Sequence, residues 1–332
     1  MGSPGKGLDD LAIIIVSTNE AHWLRPCLAS VFDHAGDLRL DVVVADNEST
    51  DGTSELVRAE FPRARVVPCR NRGFSHANNQ GWLTCDARYG LFLNPDTEIL
   101  DGTFEELVAL MDERPTVGLA GVKQMTAEGV LSPTIRRFPS VSRTLGEAFR
   151  SERWPVRPSW AGERELDMSR YEREMEIDWT SGSFMLARRE ALLSAGLLDE
   201  RSFIYSEEPD LCLRMRRAGW KIAHLPQMTI LHHAGKGGKN PRMEAQNAVA
   251  MTHFARKHYS PVRRVSFLGA LALGYGIRAA LPTRTEEGRS RRAAAVRALR
   301  TMARLEPPPF GPPPPTGLDA APVEPDPAHE PR

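Results

Sequence analysis

Apolar runs alternate with helix-like patterns through the first third of the chain. Four runs have the length of a strand and are apolar almost throughout: 11–16, 41–45, 64–67 and 89–94. Three stretches with helical spacing or N-cap residues begin between them, near Trp23, Thr53 and Gly73. Strands without a polar face are typical of a parallel sheet covered on both sides. We therefore predict an α/β fold, a mainly parallel sheet with helices on both faces.

Beyond residue 135 the pattern breaks and then resumes. Prolines and dense charges interrupt it from 136 to 176, which we interpret as a long excursion or lid. Five elements are predicted after it, namely strands at 177–188, 221–224 and 228–231 and helices at 189–195 and 210–218.

The chain changes character after Pro261. Residues 266–281 form an apolar, glycine-containing helix candidate, and 289–305 form an amphipathic one rich in alanine and arginine. Ten arginines lie between 262 and 305, against Glu286 and Glu287. Two interpretations stay open: a segment lying on an anionic membrane surface, or a helical extension packed on the domain with a solvated basic face. Residues 306–332 hold eleven prolines and are expected to be a disordered tail.

Composition narrows the class of protein. Basic and acidic residues number 43 each, so the overall charge gives no sign of a nucleic-acid partner, and we expect none. The four cysteines are scattered without a CxxC pair, which indicates reduced thiols in a cytosolic protein. The first ten residues lack the order of a signal peptide, and no apolar run reaches the roughly 18–20 residues of a transmembrane helix.

Polar residues follow the ends of three predicted strands, at Thr18, Asp46 and Asp96. Because the carboxyl ends of parallel strands share one edge, where ligands bind in such sheets, we expect these side chains to converge. Asp46 could accept a hydrogen bond from a base or ribose, and Asp96 could hold a divalent cation bridging two phosphates. The alternatives are a helix cap at Asp46 and an Asx-type turn at Asp96.

Seven segments together resemble the family 2 glycosyltransferases of GT-A fold, in the bacterial branch that includes rhamnosyl- and galactofuranosyltransferases. They run from about Leu11 to Lys236, and their order and spacing fit the family throughout: IIIVSTNEAHWLRPCLAS, VVVADNESTDGT, NRGFSHANNQGW, LFLNPDTEIL, DWTSGSFMLARREAL, GLLDERSFIYSEEPDLCLRMRRAGW and ILHHAGK. The resemblance implies a nucleotide-sugar donor, a divalent metal (Mn²⁺ or Mg²⁺) and transfer to an acceptor hydroxyl.

The resemblance also implies a set of donor-binding residues, carried over position by position: Thr18, Glu20, Asp46, Asn71, Gly73, Phe74, Asn78 and Asn94. Asp96 is the last residue of the metal-binding triplet, which in this chain begins with Asn94 where the family more commonly has Asp. His232 is the expected second metal ligand by the same resemblance, preferred to His233 because it directly follows a strand. The alternative for His232 is a hydrogen-bonded structural group. The cationic loop 236–239 either closes over diphosphate or is a plain exposed loop.

An inverting transferase needs a carboxylate that deprotonates the acceptor hydroxyl. The resemblance places this base at Glu208, with Glu207 as the fallback, although the family usually has Asp at this position. Two adjacent acids repel, which should raise one pKa. Asp210 is expected to orient the acceptor or a loop. The alternatives are an acidic first helical turn and a surface pair of Asp210 with Arg214.

Trp179 and Gly182 are expected on the acceptor side by the same resemblance, since an indole face suits the apolar side of a sugar ring. The alternative for Trp179 is core packing.

Our hypothesis is an inverting, metal-dependent glycosyltransferase that uses dTDP-rhamnose or a UDP-sugar. Its acceptor would be a glycan, a polyprenyl-linked glycan or a small molecule, and its location cytoplasmic, with peripheral contact to an anionic membrane as one option. The second hypothesis is a non-catalytic nucleotide-sugar-binding module. A dinucleotide-dependent oxidoreductase is disfavoured because no GxGxxG follows the first strand.

The predicted organisation has four parts. A flexible N-terminus at 1–10 precedes a GT-A domain at 11–260, in which 11–135 binds the donor and 177–240 carries the acceptor side and the base. A basic helical extension at 261–305 and the tail at 306–332 follow.

Overall fold

The structure, a computed structural model, describes residues 8–154, 156, 158–233 and 240–311. The strands in these ranges are β1 (Asp9–Ser17), β2 (Leu40–Asn47), β3 (Ala64–Cys69), β4 (Ala87–Leu93), β5 (Thr97–Asp101), β6 (Val117–Met125), β7 (Met175–Glu176), β8 (Phe184–Arg188) and β9 (Lys221–His232). The α-helices are α1 (Ala21–Asp33), α2 (Thr53–Glu60), α3 (Phe74–Leu83), α4 (Phe104–Asp112), α5 (Val141–Ala148), α6 (Arg189–Ala195), α7 (Glu207–Arg217), α8 (Pro241–His258), α9 (Pro261–Ala280) and α10 (Glu286–Met302).

One sheet organises these elements, in the order β3-β2-β1-β4-β8-β6-β9-β5, with β7 also paired to β9. The first four strands along this order are all parallel, as predicted. The remainder is mixed, because β8 runs antiparallel to both β4 and β6, while β6 and β9 are parallel and β5 is antiparallel to β9. The predicted α/β fold is confirmed; the all-parallel part is formed by β1 to β4, and the parallel pair of β6 and β9 belongs to the mixed part.

Both faces of the sheet are buried, which explains the uniformly apolar strands. Alternate residues of a strand point to opposite faces. Ile13 and Ile15 pack in one core cluster with Leu28 of α1, whereas Ile14 packs in a second cluster with Met215 of α7. Each fully buried side chain of this kind stabilises the fold by about 1.5–3 kcal/mol relative to exposure.

Four predicted elements differ from the observed ones. The strand expected at 177–188 begins only at Phe184, because the chain turns through Gly182 and Ser183 first. The two expected closing strands are one strand, β9, whose pairing with β6 slips between Leu225 and Thr229. Helix α7 begins three residues earlier than expected, at Glu207, with Pro209 in the first turn, where its missing N–H costs nothing.

The interrupted stretch 136–176 is packed on the rest of the chain. It contains α5 and three short 3₁₀ helices, and Ala161 and Tyr171 within it are fully buried. The Tyr171 hydroxyl accepts a hydrogen bond from the Ile135 N–H at 3.1 Å and donates one to the Glu165 carbonyl at 3.1 Å. A lid role for this stretch stays a prediction.

The C-terminal helices pack on one another and on α5. Residues from α8, α9 and α10 form a shared apolar cluster that includes Ala248, Tyr275 and Ala298. None of the helices in the described part of the chain is long and apolar enough to cross a membrane. The expected tail is ordered at its start, where the Phe310 ring stacks on Phe203 at 4.1 Å. The remainder of the predicted tail, 312–332, and the predicted loop 236–239 lie outside the described residues.

Candidate active site

The parallel strands bring their polar terminal residues to one edge of the sheet. Ser17 lies beside Asp46 in the register of β1 and β2, so Thr18 and Asn47 follow on adjacent strands. The Asn47 amide donates to the Thr18 hydroxyl at 3.3 Å and to the Asn71 amide oxygen at 3.1 Å. Thr18 and Asn71, two residues predicted to bind the nucleotide sugar, are therefore joined through Asn47. The sequence pattern did not single out Asn47, although it directly follows Asp46.

Asp46 is engaged by its own loop. One carboxylate oxygen accepts the Ser49 N–H at 2.9 Å, and the other accepts the Ser54 hydroxyl. These contacts are those of the capping and turn alternative. Contact of Asp46 with a base or ribose stays a prediction.

Gly73 joins the donor side to the loop that precedes α7. Its φ of 106° is in a region that favours glycine, and an added Cβ would lie 2.1 Å from the Phe203 carbonyl oxygen. The Phe74 N–H donates to this same carbonyl at 2.8 Å. Asn78 turns its amide back to the Phe74 carbonyl at 3.0 Å, and its own amide oxygen is buried without a hydrogen-bond partner in the described structure.

Asp96 and His232 lie side by side. The Asp96 Oδ1 and His232 Nε2 atoms are 3.3 Å apart, because β5 pairs with β9 at Thr97 and His232. His233 points elsewhere, with its Nε2 2.5 Å from Glu98 Oε1 and its ring stacked on Trp23 at 4.4 Å. The histidine beside Asp96 is thus His232, and its role as a metal ligand stays a prediction.

The donor set of this pair fits a divalent cation. Two ligands each about 2.1 Å from one octahedral ion and adjacent on it lie about 3 Å apart, close to the observed separation. Carboxylate and imidazole together suit Mn²⁺ better than Mg²⁺. No group of three His, Cys, Asp or Glu side chains able to hold a metal occurs within the described ranges.

The carboxyl group of Glu20 lies near Asp96. Burial, followed by the negative charge of Asp96, raises the pKa of Glu20 to about 7. A cation beside Asp96 would oppose that repulsion and favour the ionised form of Glu20. The predicted donor residue Glu20 is thus close enough to Asp96 to sense its charge.

Glu207 and Glu208 occupy the first turn of α7 in different surroundings. Oε1 of Glu208 accepts the Gly182 N–H at 3.0 Å, and its side chain is partly exposed. Burial raises the pKa of Glu208, partly offset by backbone N–H groups and by the charge of Arg136. Glu207 is buried, and its Oε2 has no hydrogen-bond partner in the described structure. Burial, then the charge of Glu208, raises the pKa of Glu207 well above its ordinary value.

Asp210 is held in an ion network that ties α7 to α8. Its carboxylate lies 2.6 Å from His258 Nε2, 2.7 Å from Lys257 Nζ and 2.8 Å from Arg214 Nε. Burial acts to raise the pKa of Asp210, but the His258 hydrogen bond and the charges of Arg214 and Lys257 lower it to about 2. The pairing of Asp210 with Arg214 expected as the alternative is thus present, within a buried network, and an orienting role for Asp210 stays a prediction.

Trp179 packs in the core. It is 9% exposed, and its indole N–H donates to the Arg137 carbonyl at 2.9 Å. The structure thus favours the core-packing alternative for this residue. The Arg136 guanidinium lies 5.4 Å from the indole centroid, and burial lowers the pKa of Arg136. Arg136 was missed from the sequence, where nothing marks it among the many arginines nearby.

The metal side and the base side meet where β4 ends and β8 begins. The Asn94 N–H donates to the Ser183 carbonyl at 3.1 Å. Ser183 directly follows Gly182, whose N–H binds Glu208. Two consecutive backbone positions therefore connect the Asn94-Pro95-Asp96 triplet to the glutamate on α7.

This arrangement lies on the GT-A fold, the fold of nucleotide-sugar transferases. A mannosyltransferase from Pyrobaculum calidifontis, solved in complex with GDP-Man and Mn²⁺, matches 91% of this chain and 90% of its own with a TM-score of 0.52. The two sequences are 15% identical, so this likeness concerns the fold alone. A structure of GalNAc-T7 with UDP, GalNAc and Mn²⁺ matches 69% of this chain and 44% of its own with a TM-score of 0.50 at 14% identity.

Sequence comparison places the chain more narrowly. The family model described as glycosyl transferase family 2 matches residues 12–192, and the chain belongs to this family. It is 30% identical over 302 residues to an N-acetylglucosaminyl-diphospho-decaprenol L-rhamnosyltransferase of Mycobacterium tuberculosis, covering 86% of this chain and 96% of the relative. It is 23% identical to rhamnosyltransferase WbbL of Escherichia coli K12, covering 67% and 83%. The protein is therefore a glycosyltransferase, of a family that inverts the anomeric centre.

Proposed function

We propose that this enzyme transfers rhamnose from dTDP-rhamnose to a lipid-linked N-acetylglucosamine diphosphate. The observation that carries the proposal is the mycobacterial relative, which matches over nearly its whole length and whose name states this acceptor class and this sugar. A UDP-sugar is the second choice of donor. The catalytic unit is proposed to span 11–260, because α8 supplies His258 and Lys257 to Asp210 beside the base.

The donor would bind at the edge formed by β1, β2 and β4. Thr18, Asn47 and Asn71 would hold the nucleoside. The amide oxygen of Asn78, which has no hydrogen-bond partner in the described structure, would accept a hydrogen bond from the nucleotide sugar. Asp96 and His232 would hold Mn²⁺ or Mg²⁺, which when bound supplies positive charge for the departing diphosphate.

Glu208 is the proposed base, since the residue is less buried than Glu207 and Gly182 orients one of its carboxylate oxygens. It would take the proton of the acceptor hydroxyl as that oxygen attacks the anomeric carbon. Glu207, deeper and beside it, would keep its own proton, so that one negative charge is shared by the pair. This division of roles is supported by the deeper burial of Glu207 and by the Gly182 N–H that Glu208 accepts.

The direct test compares rhamnosyl transfer by the wild type, Glu208→Gln and Asp96→Ala, using dTDP-rhamnose, Mn²⁺ and a short-chain lipid diphosphate acceptor. We expect Glu208→Gln to lower kcat about a hundredfold to ten-thousandfold. Asp96→Ala should also lower kcat about a hundredfold and abolish the Mn²⁺-dependent rise in melting temperature with dTDP. Matched controls are Glu190→Gln in the first turn of α6 and Asp101→Ala at the exposed end of β5.

Unchanged turnover in both site variants would contradict these roles. Wild-type binding of dTDP and Mn²⁺ without transfer to any tested acceptor would instead favour a non-catalytic module, which the relatives give no reason to prefer.

A further inference from the structure

One outward side of α9 carries no charged residue, while Arg263 and Arg278 are exposed elsewhere on the helix. The positions that recur at helical spacing on this side form what we call the uncharged stripe: Val262, Val265, Ser266, Gly269, Leu273, Gly276 and Ala280. Val262 is 79% exposed, Val265 69% and Leu273 46%. The hydroxyl of Ser266 donates to the Val262 carbonyl at 3.1 Å, so even this polar group is satisfied within the helix.

The opposite side of α9 is apolar as well. Phe267, Leu271 and Tyr275 are buried there in clusters shared with α8 and α10. A helix at the surface of a soluble domain normally presents polar residues outward. The uncharged stripe presents no charged side chain outward along the length of α9. Contact with apolar surroundings would therefore stabilise this side of the helix.

Helix α10 presents arginines instead. Arg289, Arg292, Arg297 and Arg300 line an open groove of about 670 Å³, which we call the arginine groove; Val296 also lines it, as does Glu306, whose Oε1 lies 2.9 Å from Arg300 Nε. Eight of the ten arginines between 262 and 305 are exposed, with Glu286 and Glu287 the acids within that range. The two helices pack against each other, so the uncharged stripe and the arginine groove belong to one compact unit.

We propose that α9 and α10 dock this enzyme on an anionic lipid membrane. Helix α9 would lie in the interface with the uncharged stripe facing the acyl boundary, and the arginine groove would bind lipid phosphates. An in-plane helix needs an apolar face and nearby basic residues, both of which are present. Docking, as opposed to insertion, agrees with the finding that no described helix can span a bilayer.

Charge favours a membrane over a second copy of the chain. A two-fold interface sets one patch against the same patch of its partner, which would bring arginines against arginines. A nucleic acid would satisfy the arginine groove but would gain nothing from Val262, Val265 and Leu273. An anionic membrane satisfies both features at once.

The test is vesicle flotation of the full-length protein with phosphatidylcholine alone and with phosphatidylcholine mixed with phosphatidylglycerol. The wild type should float with the anionic vesicles. Val265→Glu combined with Leu273→Glu should weaken this binding at least about tenfold, since charge must then enter the boundary. Each arginine near an anionic surface contributes about fivefold, so Arg289→Gln, Arg292→Gln and Arg300→Gln together should weaken binding about a hundredfold.

The matched control is Leu193→Glu on α6, whose side chain is 70% exposed, close to the exposure of Val265. It should float like the wild type. Circular dichroism should report unchanged folding in every variant, because the substituted side chains are exposed.

Three outcomes would overturn the proposal. The first is no flotation of the wild type, and the second is equal flotation of the Leu193→Glu control and the stripe variant, Val265→Glu combined with Leu273→Glu. The third is a wild-type dimer in light scattering that does not bind vesicles and that becomes monomeric in the stripe variant. Flotation requires no turnover, so this result is independent of the proposed reaction. A stripe variant that loses flotation should still act on a water-soluble acceptor analogue.

Discussion

The donor side and the base side of the candidate site are built by different means. On the donor side, Thr18 and Asp46 follow directly from the ends of neighbouring parallel strands. On the base side, Glu208 depends on Gly182 for its orientation and on Arg136 for its charge environment, from separate segments of the chain. The first side is set by strand order alone, and the second requires several long-range contacts to form together.

This difference teaches where substitutions should act. Groups on the donor side rest on a sheet that is buried on both faces, so local changes should affect ligand binding there. Groups on the base side are placed by loops and by the α7–α8 ion network, so changes at remote positions should reach the chemistry.

The junction of the two sides gives the largest expected effect. Gly73→Ala would place a Cβ 2.1 Å from the Phe203 backbone, which cannot swing aside as a side chain would. We expect a loss of about 3 kcal/mol in the free energy of unfolding, measured by urea denaturation. The control is Gly52→Ala, also at positive φ but with nothing within 4 Å of the added Cβ. It should cost about 1 kcal/mol. Equal losses in the two variants would show that the contact with Phe203 is unimportant.

The base side can be probed without disturbing the fold. In Gly182→Ala the added Cβ would lie 2.7 Å from Glu208 Oε1, the mobile end of a side chain, so the carboxylate should move. A displacement approaching 1 Å should lower kcat about a hundredfold while the donor KM and the melting temperature change little. Gly276→Ala, with open space around its added Cβ, is the control and should leave kcat unchanged. If the KM for the nucleotide sugar rose while kcat stayed normal, Gly182 would act on binding of the nucleotide sugar and not on the base.

The same contrast explains what could be predicted from the sequence. Strand ends are marked by apolar runs, so the apolar pattern alone assigns Thr18 and Asp96 to one sheet edge. Asn47 was missed because two consecutive polar residues at a strand end point to opposite faces, and only the pleat decides which one faces the site. His232 was assigned through the family resemblance, and its position beside Asp96 results from the β5–β9 pairing.

Long-range pairing limited the rest. The mixed half of the sheet depends on β8 inserting between β4 and β6, which a local apolar pattern does not encode. Arg136 reaches the base side because its backbone pairs with Trp179, and the two residues are remote in sequence. Trp179 was expected at the acceptor for its chemistry, whereas its burial shows that packing determines its position.

The smallest expected effect concerns the ion network behind the base and appears as a pH dependence. Asp210 has a pKa of about 2 in the folded protein against 3.8 as its ordinary value, a difference worth about 2.5 kcal/mol. Because the folded pKa is the lower one, this stabilisation is present above about pH 4 and is lost as the pH falls toward 2. Asp210→Asn should therefore reduce the free energy of unfolding by about 2.5 kcal/mol at pH 7 and by about half as much at pH 3.

Urea denaturation of both proteins across this pH range measures the difference, with the exposed Asp37→Asn as the control that should match the wild type. If the difference in the free energy of unfolding between the wild type and Asp210→Asn stayed constant down to pH 3, ionisation of Asp210 would not be what holds α7 to α8. Glu208 lies on that same helix, α7. If the difference in the free energy of unfolding decreased with pH and Asp210→Asn also had a lower kcat than the wild type at pH 7, the network would position the base as well as stabilise the fold.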